Sequence, residues 1–187
     1  TTSPEKAPNK PSFITINYKN GDPVGLNGKK LSPAKVLDKL NQLAGKNGIG
    51  RVDLVENRFI GIKSRGVYET PGGTVLMIAH RAMESVTLDK KIMHKKDEIM
   101  PRYAELIYNG YWYSKERFKL QKIIDLKKNK VNGSVRLKLY KGNITIESRQ
   151  TKSMAYSIKK VSFEDNKTFK KSNVERFINN HKKRLRL

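Results

Sequence analysis

The sequence predicts an α+β fold, in which a mainly antiparallel sheet is packed with helices. Segments that alternate apolar and polar residues flank turn sequences at Asn20–Pro23 and Lys141–Asn143, a pattern typical of antiparallel hairpins. Between these hairpins, apolar residues recur every three or four positions over long stretches, as they do in amphipathic helices. Hairpins covered by helices place the chain in the α+β class.

The chain is expected to form one main domain at residues 13–172. Residues 1–12 are rich in Pro, Ser and Lys, which disfavours regular structure and predicts a linker. The first hairpin follows, with Ser12–Ile16 and Val24–Leu26 pairing across a turn in which Gly21 tolerates a positive φ.

Three helical segments are predicted between the two hairpins. The first begins after Ser32, an N-cap followed by proline, and ends at Gly45. The second is a long helical region that begins at Thr70 and is ended or kinked at Pro101, because proline disfavours α geometry in the residue before it. Tyr103, Leu106 and Ile107 then resume the helical pattern until Gly110. The third runs from about Lys115 to Lys128, where apolar residues keep a helical spacing.

The remaining elements are strands and a terminal helix. The segment Val52–Ile62 is predicted as a strand or strand pair of the sheet, broken by the polar residues 56–58. Ser134–Ser148 alternates at a period of two around its turn and predicts the second hairpin. Residues 173–187 form a helix-compatible segment, which is expected to act in oligomerisation.

The charge of the chain raises a nucleic-acid-binding module as an alternative function. The formal net charge is +23, which attracts polyanions. Lysines at Lys90–Lys96 and basic residues at Lys182–Arg186 would contact phosphates, and Tyr111–Tyr113 would stack on bases. However, the lysines are scattered along the chain, which is more typical of a solvated surface, and the three aromatic residues are expected in the core beside a helix end.

Several chemistries have no support in the sequence. There is no cysteine, so disulfides and thiolate chemistry are excluded. The three histidines lie far apart, and no metal site is predicted. Neither glycine-rich segment, 25–30 nor 45–50, has the pattern of a phosphate-binding loop. No apolar run could span a bilayer and no secretory leader is present, so we expect a cytoplasmic protein without a membrane partner.

The segment Arg51–Gly73 is the best candidate for a ligand site. Its polar residues interrupt apolar positions without serving an obvious core face. Glu56 could accept hydrogen bonds from the ammonium group of a ligand, with the hydroxyl of Tyr68 as a neutral second contact. The alternative is that Glu56 forms an ion pair with Arg58 or Arg65.

Four sequence blocks carry a resemblance to a known family. They are LNGKKLSP (Leu26–Pro33), AGKNGIGRVDLVENRFIGIKSRGVYETPGGTVL (Ala44–Leu76), YAELIYNGYWYS (Tyr103–Ser114) and VRLKLYKGN (Val135–Asn143). Together these blocks closely resemble the C-terminal part of argininosuccinate synthase. The string VENRFIGIKSRGVYETPGG is highly specific to that family. The resemblance therefore covers most of the chain between Leu26 and Asn143.

The resemblance implies an ATP-dependent carbon–nitrogen ligase of arginine biosynthesis. Members of the family join citrulline to aspartate through citrullyl-AMP, and release pyrophosphate and AMP. In the family pattern the Glu of VENRF and the Tyr of SRGVYE contact citrulline, which implies that Glu56 and Tyr68 do so here. The family also implies a homotetramer, with no nucleic acid as partner.

The sequence departs from the family pattern in two places. The N-terminal nucleotide-binding domain, with its SGGLDTS-type loop, has no counterpart, since PGGT at Pro71–Thr74 lacks the serine and the aspartate. ATP, and Mg with it, are therefore expected on a missing N-terminal domain, without which the chain should not turn over. In addition, Lys159, Lys160, Lys170 and Lys171 lie where relatives tend to be acidic.

Overall fold

The computed structural model of the chain describes residues 1–155 together with residues 175, 176, 178 and 179. The chain divides into two compact units, Thr1–Ala155 and Tyr156–Leu187. The elements given below belong to the first unit. The strands are β1 (Ser12–Lys19), β2 (Asp22–Leu26), β3 (Lys29–Lys30), β4 (Arg51–Asn57), β5 (Lys63–Glu69), β6 (Gly133–Tyr140) and β7 (Asn143–Gln150). The helices are α1 (Pro33–Lys46), α2 (Pro71–Thr87), α3 (Lys90–Tyr108) and α4 (Lys115–Ile124).

The main sheet is fully antiparallel. Its five strands lie in the order β3-β2-β1-β6-β7, while in the described part of the chain β4 and β5 pair only with each other. Helices pack on the sheet, and the predicted α+β class is confirmed. The described residues include no helix long and apolar enough to cross a membrane.

The core lies between one face of the sheet and helices α1 and α2. Along β1, Ile14 and Ile16 are buried and alternate with less buried neighbours. They meet Val36 and Leu40 of α1 and Val75 of α2 in one cluster. Each such side chain stabilises the fold by roughly 1.5–3 kcal/mol through removal of apolar surface from water.

Both predicted hairpins of the sheet are confirmed. In the first, Asn20 and Gly21 both have positive φ, 51° and 83°, which matches the twist of the strands that they join. In the second, the turn at Lys141 and Gly142 lies between β6 and β7. The first helix is also confirmed, because α1 begins directly after Ser32, whose side chain accepts a hydrogen bond from the Lys35 N–H.

The prediction for Val52–Ile62 is partly wrong. The segment is not a part of the main sheet, because β4 pairs with β5 in a separate hairpin. The predicted break at the polar residues is present, since β4 ends at Asn57 and the chain turns at Arg58–Ile62. The apolar residues that suggested a second strand lie in this turn, where Ile60 is 77% exposed.

The helix boundaries differ from the prediction at three positions. The long helical region is interrupted at Leu88, and α3 begins after Asp89, whose carboxylate accepts a hydrogen bond from the Ile92 N–H. Pro101 lies inside α3, where it costs a backbone hydrogen bond without ending the helix. The last helix ends at Ile124, and Lys127 takes a left-handed conformation with φ of 61°.

The two ends of the chain were predicted as a linker and an oligomerisation helix. At the N-terminus, the Thr2 N–H donates to the Gly45 carbonyl at the end of α1, and Ala7 is buried. At the other end, the four described residues of 173–187 are helical. The rest of that predicted helix, and the lysines of residues 159–171, lie outside the described residues.

Candidate functional site

The hairpin of β4 and β5 places both predicted site residues on one face. Its register pairs Glu56 with Ser64 and Val52 with Tyr68. Because directly paired residues share a face and side chains alternate along a strand, Glu56 and Tyr68 lie on the same face, on different strands. Gly66 lies between Ser64 and Tyr68 on this face.

Gly66 provides the space in which the ring of Tyr68 lies. A Cβ atom built on Gly66 would be 2.5 Å from Cε2 of Tyr68 and 2.8 Å from its hydroxyl oxygen. The ring therefore extends along the hairpin over Gly66 instead of standing away from it. In this position the Tyr68 hydroxyl donates a hydrogen bond to Oε1 of Glu56.

A second phenol reaches the same carboxylate from helix α3. The hydroxyl of Tyr108 donates to Oε2 of Glu56 at 2.6 Å. Nη1 of Arg58 lies 3.3 Å from the same oxygen, while Nε of Arg58 donates to Oγ of Ser64 at 2.7 Å. Together these groups leave the side chain of Glu56 only 9% exposed.

These contacts are what a nearly buried carboxylate requires. Removing a charge from water is costly unless hydrogen bonds and an opposite charge replace the lost hydration. The hydrogen bond to Glu56, with a smaller contribution from desolvation, raises the pKa of Tyr108 above its ordinary value. Tyr108 therefore remains a neutral donor at physiological pH, while Arg58 supplies the positive charge.

The carboxylate retains capacity for a ligand. An ionised carboxylate offers about four acceptor positions on its two oxygens. Tyr108 and Arg58 lie at Oε2, whereas among the described residues only Tyr68 donates to Oε1. A cationic donor such as an ammonium group could bind at the second position of Oε1, or replace the phenol of Tyr68 there.

The hairpin is held to the rest of the unit at both of its ends. At the base, Nη2 of Arg51 donates to Oγ1 of Thr1 in the N-terminal segment at 3.3 Å. At the turn, the rings of Phe59 and Tyr111 meet edge to face with centroids 6.0 Å apart. Since an isolated two-stranded hairpin is at best marginally stable in water, these contacts and the bond from Tyr108 fix where Glu56 lies.

The structure separates the alternatives that the sequence left for Glu56. The ion pair with Arg58 forms, but Arg65 instead binds Asp53 on the other face of the hairpin, with its Nε 2.9 Å from Oδ1. Glu56 and Tyr68 also come together, so the ion pair and the predicted pairing coexist. Tyr108 was missed, because it follows Glu56 by 52 positions on a different element.

The aromatic residues at the end of α3 are not in the core, contrary to the prediction. Trp112 is 48% exposed and Tyr113 is 85% exposed. The guanidinium of Arg117 lies between the rings of Trp112 and Phe118, 4.6 Å and 4.0 Å from their centroids. These contacts order the segment without burying the aromatic surface.

A separate cavity of about 980 Å³ lies beside helices α2 and α3. Its polar lining includes Tyr18, His80, Glu84 and Lys96. Nζ of Lys96 donates to the carboxylate of Glu84, and both residues are buried. Burial lowers the pKa of His80, although the nearby Glu84 opposes this effect.

Comparison with known proteins shows the family to which this domain belongs. Residues 1–187 match the family described as Arginosuccinate synthase C-terminal domain, and the chain is a member of that family. This finding confirms the resemblance seen in the sequence blocks.

Individual relatives carry the same name. The chain is 83% identical to the argininosuccinate synthase of Pelagibacter ubique over 186 residues, which cover 100% of the chain and 47% of that protein. It is 55% identical to the argininosuccinate synthase of Rhodospirillum centenum, with 100% of the chain and 46% of the relative covered. The chain thus spans about half the length of the relatives that it matches.

Proposed function

We propose that the chain acts as the citrulline-binding C-terminal part of an argininosuccinate synthase. This ligase uses ATP to join citrulline and aspartate, and it releases AMP and pyrophosphate. The observation that carries the proposal is the convergence of Glu56 and Tyr68 on one hairpin face. Family membership supports it, because the chain is 83% identical to a protein named for this activity.

In this proposal Glu56 and Tyr68 bind and orient citrulline. The carboxylate of Glu56 accepts hydrogen bonds from the α-ammonium group, and the hydroxyl of Tyr68 contacts the same substrate. Orientation of this kind lowers the barrier by proximity, because positioned reactants need not lose translational and rotational freedom during the reaction. The residues themselves form no covalent bond with the substrate.

ATP and its Mg are assigned to the other half of the synthase. The residues of this chain do not fit them, since PGGT at Pro71–Thr74 lacks the residues of the family's phosphate loop. In the part of the chain that the structure describes, no three acidic or histidine side chains are grouped so that they could hold a metal ion. We therefore assign no step involving ATP or Mg to this chain.

The proposal also includes the oligomeric state of the protein and its cellular compartment. We propose a cytoplasmic homotetramer in which the C-terminal segment at residues 173–187 contacts other subunits. The support is the family resemblance together with the helical conformation of the four described residues of that segment.

The proposal is tested with a rebuilt synthase, in which the chain is joined to the remaining segment of the Pelagibacter ubique enzyme. We expect Glu56→Gln to lower kcat/KM for citrulline by roughly 10-fold or more, because hydrogen bonds to charged groups contribute about 1.5–3 kcal/mol. Tyr68→Phe should lower it by roughly tenfold, the lower end of that range, because its hydroxyl donates to the charged carboxylate of Glu56 from a side chain that is 40% exposed. Unchanged citrulline kinetics in both variants would show that the site is assigned wrongly.

A nucleic-acid-binding function is the second candidate, favoured by the exposure of Trp112 and Tyr113 on a chain of net charge +23. Exposed aromatic rings near basic residues suit stacking on single-stranded bases. A salt titration distinguishes the two functions. A specific binder retains submicromolar affinity for some sequence at physiological salt, whereas attraction by scattered lysines weakens steeply as salt rises.

A further inference from the structure

We propose that Tyr108 is a positioning residue for Glu56, which holds one carboxylate oxygen so that the other faces citrulline. The inference rests on the proposed function, and it adds a residue from helix α3 to a site that otherwise belongs to the β4–β5 hairpin. Tyr108 acts through Glu56 and does not itself touch the substrate.

The two oxygens of Glu56 have different surroundings. Oε2 accepts the hydrogen bond from Tyr108 at 2.6 Å and lies 3.3 Å from the guanidinium of Arg58. Oε1 has a single donor among the described residues, the hydroxyl of Tyr68. A carboxylate held firmly through Oε2 can rotate little, so Oε1 remains directed toward Tyr68 and a ligand beside it.

A phenol suits this role better than a second cation would. Arg58 already neutralises part of the charge of Glu56, and another positive group would compete with the ammonium group of the substrate. Tyr108 donates a hydrogen bond without adding charge, so the carboxylate keeps its attraction for a cation. The hydroxyl remains protonated because the bond to Glu56 raises its pKa.

Tyr108 also connects helix α3 to strand β4, and so helps to fix the position of the β4–β5 hairpin. Its hydroxyl joins α3 to the far end of β4, across 52 positions of sequence. The hairpin has exposed residues on both faces, so its own packing does little to fix that end. Loss of the hydroxyl should therefore let Glu56 adopt other positions while leaving the core unchanged.

The test compares four variants of the rebuilt synthase with the unmodified protein. They are Tyr108→Phe, Glu56→Gln, the double variant that combines them, and Tyr113→Phe as the matched control. The control removes the same hydroxyl from the same region, at a side chain that is 85% exposed. KM and kcat are measured separately for citrulline, aspartate and ATP, and thermal unfolding is recorded for each protein.

We expect Tyr108→Phe to raise KM for citrulline by about three- to tenfold, as for one lost hydrogen bond to a charged group at a half-exposed site. KM for ATP and aspartate and the unfolding temperature should stay the same, and Tyr113→Phe should match the unmodified protein. In the double variant, Tyr108→Phe should add nothing to the effect of Glu56→Gln, because the two residues act as one unit.

The outcomes separate this inference from the proposed function. If Glu56→Gln weakens citrulline use and Tyr108→Phe does not, Tyr108 is no positioning residue but the citrulline site stands. Additive effects in the double variant would equally overturn the inference, since they would show that Tyr108 acts elsewhere. If Glu56→Gln leaves citrulline kinetics unchanged, the proposed site itself is wrong and the role of Tyr108 falls with it.

Discussion

Replacement of Gly66 by alanine is expected to weaken citrulline use while leaving the fold intact. The added Cβ would lie 2.5 Å from Cε2 and 2.8 Å from the hydroxyl oxygen of Tyr68, both too close for the ring to stay. The ring is the far end of a side chain that is 40% exposed, so it can move aside. The hydroxyl then no longer reaches the carboxylate of Glu56.

The magnitude follows from the contact that is lost. A hydrogen bond to a charged group contributes about 1.5–3 kcal/mol, and the exposure of Tyr68 favours the lower end of that range. The corresponding loss in kcat/KM for citrulline is roughly tenfold. Stability should hardly change, because alanine removes conformational freedom from the unfolded chain, which stabilises a protein by about 0.4–1 kcal/mol where the backbone accepts it.

The assay measures citrulline kinetics and thermal unfolding of Gly66→Ala in the rebuilt synthase. Gly61→Ala in the turn is not a suitable control, because Gly61 has a φ of 85°, which strains any larger residue. The better control is the double variant of Gly66→Ala with Tyr68→Phe, which should behave as Tyr68→Phe alone. Wild-type citrulline kinetics in Gly66→Ala would refute the reasoning. They would show that the position of the Tyr68 ring does not require the absence of a Cβ atom at residue 66.

Two further predictions concern the cavity beside α2 and α3. Burial lowers the pKa of His80 in the folded chain, so the folded state binds fewer protons than the unfolded state does. The free energy of unfolding should therefore fall as the pH drops below about 6.5, the ordinary histidine value. Unfolding temperatures measured between pH 7.5 and 5 should show this fall, and the fall should be smaller in His80→Gln; an equal fall in both proteins would contradict the assignment. Separately, Lys96→Met should destabilise the protein by about 3 kcal/mol, the lower end of the range for breaking a buried ion pair. It removes the nearest cation from the buried carboxylate of Glu84 but leaves Nη1 of Arg81 at 3.9 Å and Nδ1 of His80 at 3.7 Å. Chemical denaturation should show that adding Glu84→Gln to Lys96→Met restores part of the lost free energy of unfolding. An unchanged free energy of unfolding in the double variant would argue against the ion pair.

The hairpin explains why the specific sequence string around Glu56 contributes no residue to the hydrophobic core cluster. Its residues form a hairpin that contributes little to the core, and their polar groups bind each other and leave one acceptor position open at Oε1. Glu56 is partnered by a cation and two phenols, which makes an ionised carboxylate tolerable where only 9% of the side chain is exposed.

The local sequence determined those elements whose signals lie within a few residues. The turn at Asn20 and Gly21, the cap at Ser32 and the alternation in β6 and β7 each act between near neighbours, so they can be read directly from the chain. The sequence blocks also identified the family and the pair Glu56 and Tyr68. What they could not supply was the contact between these two side chains, which depends on hairpin register.

Only the tertiary structure decided where the hairpin and its partners lie. The segment after Arg51 has apolar residues enough for a sheet strand, yet among the described residues it pairs with β5 and not with β3 or β7 at the edges of the main sheet. Tyr108 meets Glu56 since α3 returns to the hairpin, a consequence of how the helices pack and not of any spacing in the sequence. Long-range contacts of this type are set by the packing of whole elements, which no short stretch of residues encodes.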